Sequence, residues 1–128
     1  MKAILIDPSN KTVSEISLSG DWKDIAKHLG CEYITVAFYI HADDKHAPDV
    51  CYVDDEGLLI NPNPNGYFRM PGLGYPGTLA GKGLIVGSTY AGEEAPAFHN
   101  ADTVAGAVEF IDSPDPDSIE PTITVTAF

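Results

Sequence analysis

Residues 79–88, LAGKGLIVGS, hold the first residues whose spacing suggests chemistry, since a lysine between glycines resembles a phosphate-binding loop. In that pattern four residues separate the first glycine from the Gly-Lys pair, a Ser or Thr follows, and a helix begins there. Here three residues separate Gly77 from Gly81, Gly83 takes the place of the hydroxyl residue, and residues 84–86 favour a strand. The sequence therefore predicts a glycine turn that enters a buried strand.

A small-ligand site at the same turn is the alternative hypothesis. Lys82 and the backbone amides near Gly81 and Gly83 could contact an anion. Tyr67 and Tyr75 are near this turn in the sequence and could stack on a base. These five residues are the candidate ligand-binding set for a nucleotide derivative or another small molecule, with the protein as its binder or as an enzyme.

The densest group of potential metal ligands lies at residues 41–49. Carboxylates and imidazoles can hold a divalent ion, but their spacing here matches no known metal clip. We expect a solvated loop, and the sequence predicts neither a metal site nor a cofactor. The residues are His41, Asp43, Asp44, His46 and Asp49.

An acidic run, Asp54-Asp55-Glu56, precedes Gly57. It lacks the alternating ligand spacing of a calcium loop. We predict a hairpin turn with a left-handed Gly57 and a returning strand at 58–60. The run and the pair Asp43 and Asp44 form the candidate acidic interaction surface.

No catalytic set is predicted. Cys31 and Cys51 share no metal-ligand spacing, and buried free thiols are expected. Ser19, Ser88 and Ser113 lie in no nucleophile motif. His99 is isolated and is interpreted as a capping or surface residue.

The elements that position these residues are predicted from hydrophobic periodicity. Residues 2–7 and 12–18 form a hairpin, and 21–29 an amphipathic helix. Ser19 or Asp21 caps this helix and Gly30 ends it. Its apolar face consists of Trp22, Ile25, Ala26 and Leu29.

The rest of the chain predicts an α+β fold with one mostly antiparallel mixed sheet. Residues 33–40 are expected to be a central strand buried on both faces, and shorter strands are expected at 50–53 and 84–86. A second helix is predicted at about 102–111, capped by Asp102, with a last strand at 122–128. We expect a single domain over residues 1–128, of which 112–128 are a C-terminal extension.

The net charge of −12 excludes several classes of partner. Nucleic acids and anionic membranes are both unfavourable for such an acidic chain. No apolar stretch has the length of a membrane span, and a cytoplasmic protein without a signal peptide is expected. The acidity itself has three interpretations, which are solubility, docking to a basic partner and mimicry of nucleic-acid phosphates.

Four stretches carry a resemblance to a known family: KAILIDPSNKTVSEISL, HLGCEYITV, YVDDEGLL and LAGKGLIVG. Their order over roughly residues 2–90 is similar to that in domain-of-unknown-function family 3846. The resemblance implies a short accessory protein encoded by a phage, a plasmid or another mobile element, acting on host machinery. The family has no established catalytic residues to transfer.

Three functional hypotheses follow. The leading one is a non-enzymatic accessory protein that modulates a host factor or a defence system through its acidic surface. The small-ligand binder described above is the alternative. The third is a structural role through homo-oligomerisation, in which the strand at 122–128 pairs between chains.

Overall fold

A computed structural model describes residues 1–19, 21–59 and 63–111 of the chain. Within them lie two α-helices and nine strands, with 3₁₀-helices at Gly57–Leu59 and Pro71–Leu73. The helices are α1 (Trp22–Leu29) and α2 (Ala101–Ala107). The strands are β1 (Lys2–Asp7), β2 (Thr12–Ser17), β3 (Ile34–Ile40), β4 (Asp49–Asp54), β5 (Tyr67–Met70), β6 (Tyr75–Ala80), β7 (Gly83–Ser88), β8 (Glu94–Ala95) and β9 (Glu109–Ile111).

The predicted N-terminal hairpin is confirmed. β1 and β2 pair antiparallel from Lys2↔Ser17 to Asp7↔Thr12. The turn between them is held by the Asp7 carboxylate, which accepts hydrogen bonds from the amide of Ser9 at 3.1 Å and from the side chain of Asn10 at 2.8 Å. Such a local bond to the backbone two residues on is the reason that Asp favours turns.

The predicted first helix is also confirmed, together with both of its ends. The Asp21 side chain caps α1 by accepting from the amide of Lys23, and Gly30 ends it in the left-handed region at φ 71°. Ile25, Ala26 and Leu29 are buried, whereas Trp22 is 50% exposed. The apolar face of α1 therefore packs against the sheet from Ile25 to the C-terminal end of the helix.

The larger sheet has the strand order β2-β1-β7-β4-β3, and β8 pairs with β7. β7 is its central strand, since Leu84, Ile85 and Val86 are fully buried. The buried strand predicted at 84–86 is thus confirmed. The central position predicted for 33–40 is wrong, because β3 lies at the sheet edge and only Ile40 of that strand is buried.

Two apolar clusters cover the two faces of this sheet. On one face Ile4, Cys51 and Ile85 pack with Phe68 of the smaller sheet β6-β5-β9 and with Val104 of α2. On the opposite face Ala3, Leu84 and Val86 pack with Ile25 and Leu29 of α1. Every strand pair within the described residues is antiparallel. The α+β class is therefore confirmed, with the strands divided between two sheets.

The predicted hairpin at the acidic run is wrong. β4 pairs with β3, which precedes it in the chain, and on its other side with β7. The chain after Asp54 enters the 3₁₀-helix Gly57–Leu59. Gly57 does not have a positive φ; a Cβ there would lie 2.8 Å from the carbonyl oxygen of Ala80. This glycine is needed for close packing on β6.

The second helix is shorter than predicted. α2 ends at Ala107, and its N-cap is Asn100, which accepts from the amide of Thr103, instead of Asp102. Residues 109–111 form β9, which pairs with β5. Pairing with β5 satisfies backbone groups that a longer helix would have bonded internally. The predicted strand at 122–128 and the extension at 112–128 lie outside the described residues.

Candidate functional site

The glycine turn at 81–83 joins β6 to β7. Gly81 has a φ of +79°, and its amide donates to the carbonyl of Gly66 at 2.8 Å. A Cβ at Gly83 would lie 2.6 Å from the Phe68 ring. A strand follows, as the turn interpretation predicts. The Gly81 amide is thus engaged within the fold, and Lys82 forms no ion pair with a described residue.

The two tyrosines of the ligand hypothesis lie in different environments. Tyr67 is only 1% exposed, and its hydroxyl oxygen accepts from the amide of Asn63 at 2.7 Å. Tyr75 stacks on Phe38 with ring centroids 4.7 Å apart. The ligand site at 81–83 stays a prediction, and the burial of Tyr67 within the core leaves Tyr75 as its accessible aromatic residue.

The five predicted acidic residues fall into two groups. Asp54 is the last residue of β4 and lies opposite the first residue of β3, and Asp55 and Glu56 follow it in the chain. Asp43 and Asp44 follow the last residue of β3. Because a seven-residue strand spans roughly 20 Å, the two groups lie at opposite ends of the β3-β4 pair. The acidic interaction surface stays a prediction, now with two separate patches.

Asp43 is tied to its own loop. Its Oδ1 atom accepts from the amides of Lys45 and His46 and lies 2.8 Å from the Nδ1 atom of His46. The bond to the His46 side chain is the largest of the influences that lower the pKa of Asp43. No cluster of three or more potential metal ligands exists among the described residues.

Buried Asp49 and half-buried His99 form a pair that the sequence did not predict. Asp49 has no solvent exposure, and its Oδ2 atom lies 2.8 Å from His99 Nδ1. Its carboxylate also accepts from the amides of Phe98 and His99, each at 2.9 Å. The nearby Ser88 hydroxyl donates to the carbonyl of Pro48. These three side chains therefore hold the fold together and do not form a nucleophile–base relay.

Both cysteines are free, as predicted, but only Cys51 is buried and Cys31 is half-buried. Burial raises the pKa of Cys51 to about 12. Burial, followed by the charge of Asp54, raises the pKa of Cys31 to about 11. Neither thiol has the lowered pKa of a nucleophilic cysteine.

A cavity lies where β3 ends and β4 begins, on the side of the larger sheet that α1 covers. We call it the tyrosine groove; its volume is about 300 Å³, and its walls include Tyr39, Tyr52, Tyr90, Glu93 and Glu94. None of the described residues that line it is Lys, Arg or His. The groove therefore combines aromatic faces with negative charge.

The strand register places Tyr39 and Tyr52 on one face. Tyr39 is opposite Val50, Val50 is opposite Val86, and Tyr52 is opposite Leu84. Directly opposed residues of antiparallel strands share a face, and Leu84 and Val86 are on the face that α1 covers. Sequence reasoning missed this site because its residues come from β3, β4 and the β7–β8 loop. The local signal is the run of Tyr90, Glu93 and Glu94 within one turn.

The described residues thus define an α+β protein with two antiparallel sheets and an acidic, aromatic groove. The chain belongs to the family described as domain of unknown function DUF3846, whose model matches residues 1–103. The resemblance inferred from the four sequence stretches is therefore confirmed. Neither the curated proteins nor the solved structures gave a match. Within the described ranges, the helices are too short or too polar to cross a bilayer.

Proposed function

We propose that this protein is a non-enzymatic accessory protein of a phage or another mobile element, which binds a basic protein of the host through its acidic surface. The observation that carries the proposal is the solvent exposure of the carboxylates. In the described part of the chain every acidic side chain except Asp7 and Asp49 is at least partly exposed.

Within the described residues, these exposed carboxylates have few basic partners. Arg69–Glu109 is the one ion pair between a Lys or Arg and a carboxylate where both residues are described, with N···O 2.8 Å. Unneutralised charges of one sign raise the rate at which a protein meets an oppositely charged partner. A net charge of −12 on 128 residues therefore favours a basic partner and disfavours a nucleic acid.

The reactive side chains support a binding role. Both carboxylate oxygens of Asp49 accept hydrogen bonds from the 98–99 segment. The Ser88 hydroxyl donates to Pro48, and the two thiols have raised pKa values. The carboxylate and the hydroxyl group therefore stabilise the fold through these hydrogen bonds. The family membership, with the mobile-element context that the sequence resemblance implies, supports the accessory role.

The experiment is affinity capture followed by quantitative binding. The immobilised protein is exposed to a lysate of the host cell, retained proteins are eluted with a salt gradient, and each is then purified and titrated calorimetrically. We expect a basic protein whose affinity falls as salt rises from about 0.05 to 0.5 M, because the Debye length shortens. Retention that is independent of salt, or turnover of a small molecule without any captured basic protein, would contradict the proposal.

Two double variants then identify which acidic patch binds the partner. Asp54→Asn/Asp55→Asn neutralises one end of the β3-β4 pair, and Glu93→Gln/Glu94→Gln neutralises the rim of the tyrosine groove. Each pair removes the same charge, so the two variants are matched in their effect on long-range attraction. A partner that binds through one of these two patches must lose affinity in the variant that neutralises that patch. Unchanged affinity in both would overturn the proposal for these patches.

A further inference from the structure

We propose that the tyrosine groove receives an arginine side chain of the basic partner, with its guanidinium group against the tyrosine rings and beside Glu94. The identity of the partner as a basic protein rests on the proposed function. The chemistry of the groove stands on observations of its own.

The groove is open because α1 covers only part of its side of the sheet. Ile25 and Leu29 of α1 pack with Leu84 and Val86 of β7. Beyond them Tyr39 is 62% exposed and Tyr90 is 77% exposed. Val50, at 4% exposure, lies beneath the cavity. An elongated side chain can therefore enter from solvent with its apolar stem over Val50.

The lining selects a cation. Tyrosine faces attract ammonium and guanidinium groups, and the attraction grows when the cation is partly desolvated. Glu93 and Glu94 provide negative charge at the rim, and no described lining residue is basic. Burial, then the charges of Glu94 and Tyr39, raise the pKa of Tyr52, which lines the groove together with both residues. The Tyr52 hydroxyl group therefore stays protonated at neutral pH.

Arginine fits this lining better than lysine. Its guanidinium is planar, stacks on aromatic rings and forms two parallel hydrogen bonds to a carboxylate. Arginine and tyrosine are also the residues that most often dominate the affinity of protein interfaces. The pairing of flat tyrosine rings with an adjacent glutamate therefore favours an arginine of the partner.

The rim is ordered before any partner binds. The Thr89 amide donates to the carbonyl of Glu93 at 2.9 Å, and the Gly92 amide donates to the carbonyl of Thr89 at 2.9 Å. The Thr89 hydroxyl oxygen accepts from the amide of Glu93 at 3.2 Å. Glu94 is then fixed opposite Ser88 by the β7–β8 pairing. Binding an arginine consequently requires little ordering of this loop, which favours affinity.

The groove is tested with the uniformly ¹⁵N- and ¹³C-labelled full chain and three pentapeptides, acetyl-GGRGG-amide and its lysine and citrulline counterparts. Citrulline keeps the shape of arginine and removes its charge. We expect the arginine peptide to shift resonances of Tyr39, Tyr52 and Glu94 with a Kd on the order of millimolar. The lysine peptide should bind more weakly, and the citrulline peptide about ten-fold more weakly.

Variants distinguish the contribution of the Tyr39 ring to binding from that of the Glu94 carboxylate. Tyr39→Ala and Glu94→Gln should each weaken the arginine peptide about five- to ten-fold, whereas Tyr39→Phe keeps the ring and should retain most of the affinity. Tyr33→Ala is the matched control, since Tyr33 is 64% exposed beside the same strand and does not line the groove. Thermal melts monitored by circular dichroism establish that each variant is folded.

Equal binding of the citrulline and arginine peptides, shifts located outside the groove, or no saturable shift up to about 20 mM peptide would overturn the inference. Its failure is distinguishable from failure of the proposed function. If a captured basic partner binds Tyr39→Ala as tightly as the unaltered chain and is weakened by Asp54→Asn/Asp55→Asn, the groove inference alone fails. If the arginine peptide binds the groove and no basic host protein is captured, the proposed function alone fails.

Discussion

Asp49 and His99, which are 50 residues apart in sequence, are joined by a 2.8 Å contact between Oδ2 and Nδ1 in which the carboxylate has no solvent exposure. When a carboxylate is ionised it can only accept hydrogen bonds, and His99 Nδ1 is then the donor of this bond. The pair connects the first residue of β4 to the segment that leads into α2. It therefore fixes the path by which the chain crosses from the larger sheet to the layer that contains β9.

Asp49→Ala should lower the free energy of unfolding by about 3 kcal/mol, because it leaves the amides of Phe98 and His99 without their acceptor. Urea denaturation at neutral pH measures the change. Asp49→Asn keeps one oxygen and should cost less. Asp44→Ala, in the exposed part of the preceding loop, is the control and should leave the midpoint unchanged. Equal midpoints for Asp49→Ala and Asp44→Ala would show that the pair contributes nothing.

Gly87→Ala and Gly106→Ala should have opposite effects on stability. A Cβ at Gly87 would overlap the carbonyl of Pro96, whereas a Cβ at Gly106 meets nothing within 4 Å. The first substitution must displace the β7–β8 pairing. The second should stabilise α2 by about 0.5 kcal/mol, since alanine favours a helix over glycine. Thermal unfolding of the two variants gives the sign of each effect, and a stabilised Gly87→Ala variant would contradict the packing.

Gly30→Ala tests the end of α1. Gly30 has a φ of +71° and free space around it, so any cost is conformational. We expect a loss of about 1 kcal/mol in the free energy of unfolding, measured by urea denaturation. Gly30→Asn should recover part of the loss, since asparagine tolerates this region better than alanine. Equal stability of the three chains would argue against a left-handed residue at this position.

The two thiols should react slowly with a disulfide reagent such as Ellman's at about pH 8. The pKa of Cys31 is raised from 9.0 to about 11, which reduces its thiolate fraction about 100-fold. Cys51 is fully buried and should react only on unfolding. Asp54→Asn removes the charge that is the second cause of the Cys31 shift and should accelerate its reaction, and Asp55→Asn is the control. Rapid labelling of both thiols in the folded chain would contradict this.

The same shifts predict how stability depends on alkaline pH. A thiol whose pKa is higher in the folded than in the unfolded state contributes stability that is present below the unfolded value and lost above it. For Cys51, with a folded pKa of about 12, the loss begins near pH 9 and continues to about pH 12. Cys51→Ala should unfold more easily at neutral pH because of its cavity. Its free energy of unfolding should fall less steeply above pH 9, as followed by urea denaturation; an identical slope would contradict the shift.

The elements predicted well are those whose signals are local. The β1-β2 hairpin and α1 follow from alternation, from 3.6-residue periodicity and from caps within a few residues of their ends. Gly81 and its entry into β7 are of the same kind, because the steric demand of a turn and the apolar run after it are contained in ten residues. The family membership also follows from the order of such stretches.

The neighbours of each strand depended on the tertiary structure. The run 33–40 has the composition of a buried strand, yet pairing of β4 with β7 places it at the edge. Its exposed Tyr39 then becomes a wall of the tyrosine groove. Residues 109–111 fit a helical pattern in the sequence, but they form β9 because they pair with the edge of β5.

The amino-acid sequence by itself determined the acidity, the first hairpin, the first helix with its caps, and the glycine turn, because backbone propensity and side-chain period act over a few residues. Only the tertiary structure decided which strand is central, which carboxylate is buried against His99, and which tyrosines meet Glu94. Those relationships join residues up to 81 positions apart, as in the pairing of Ile4 with Ile85. They are set by which apolar faces pack together, a competition among distant segments that no local pattern records.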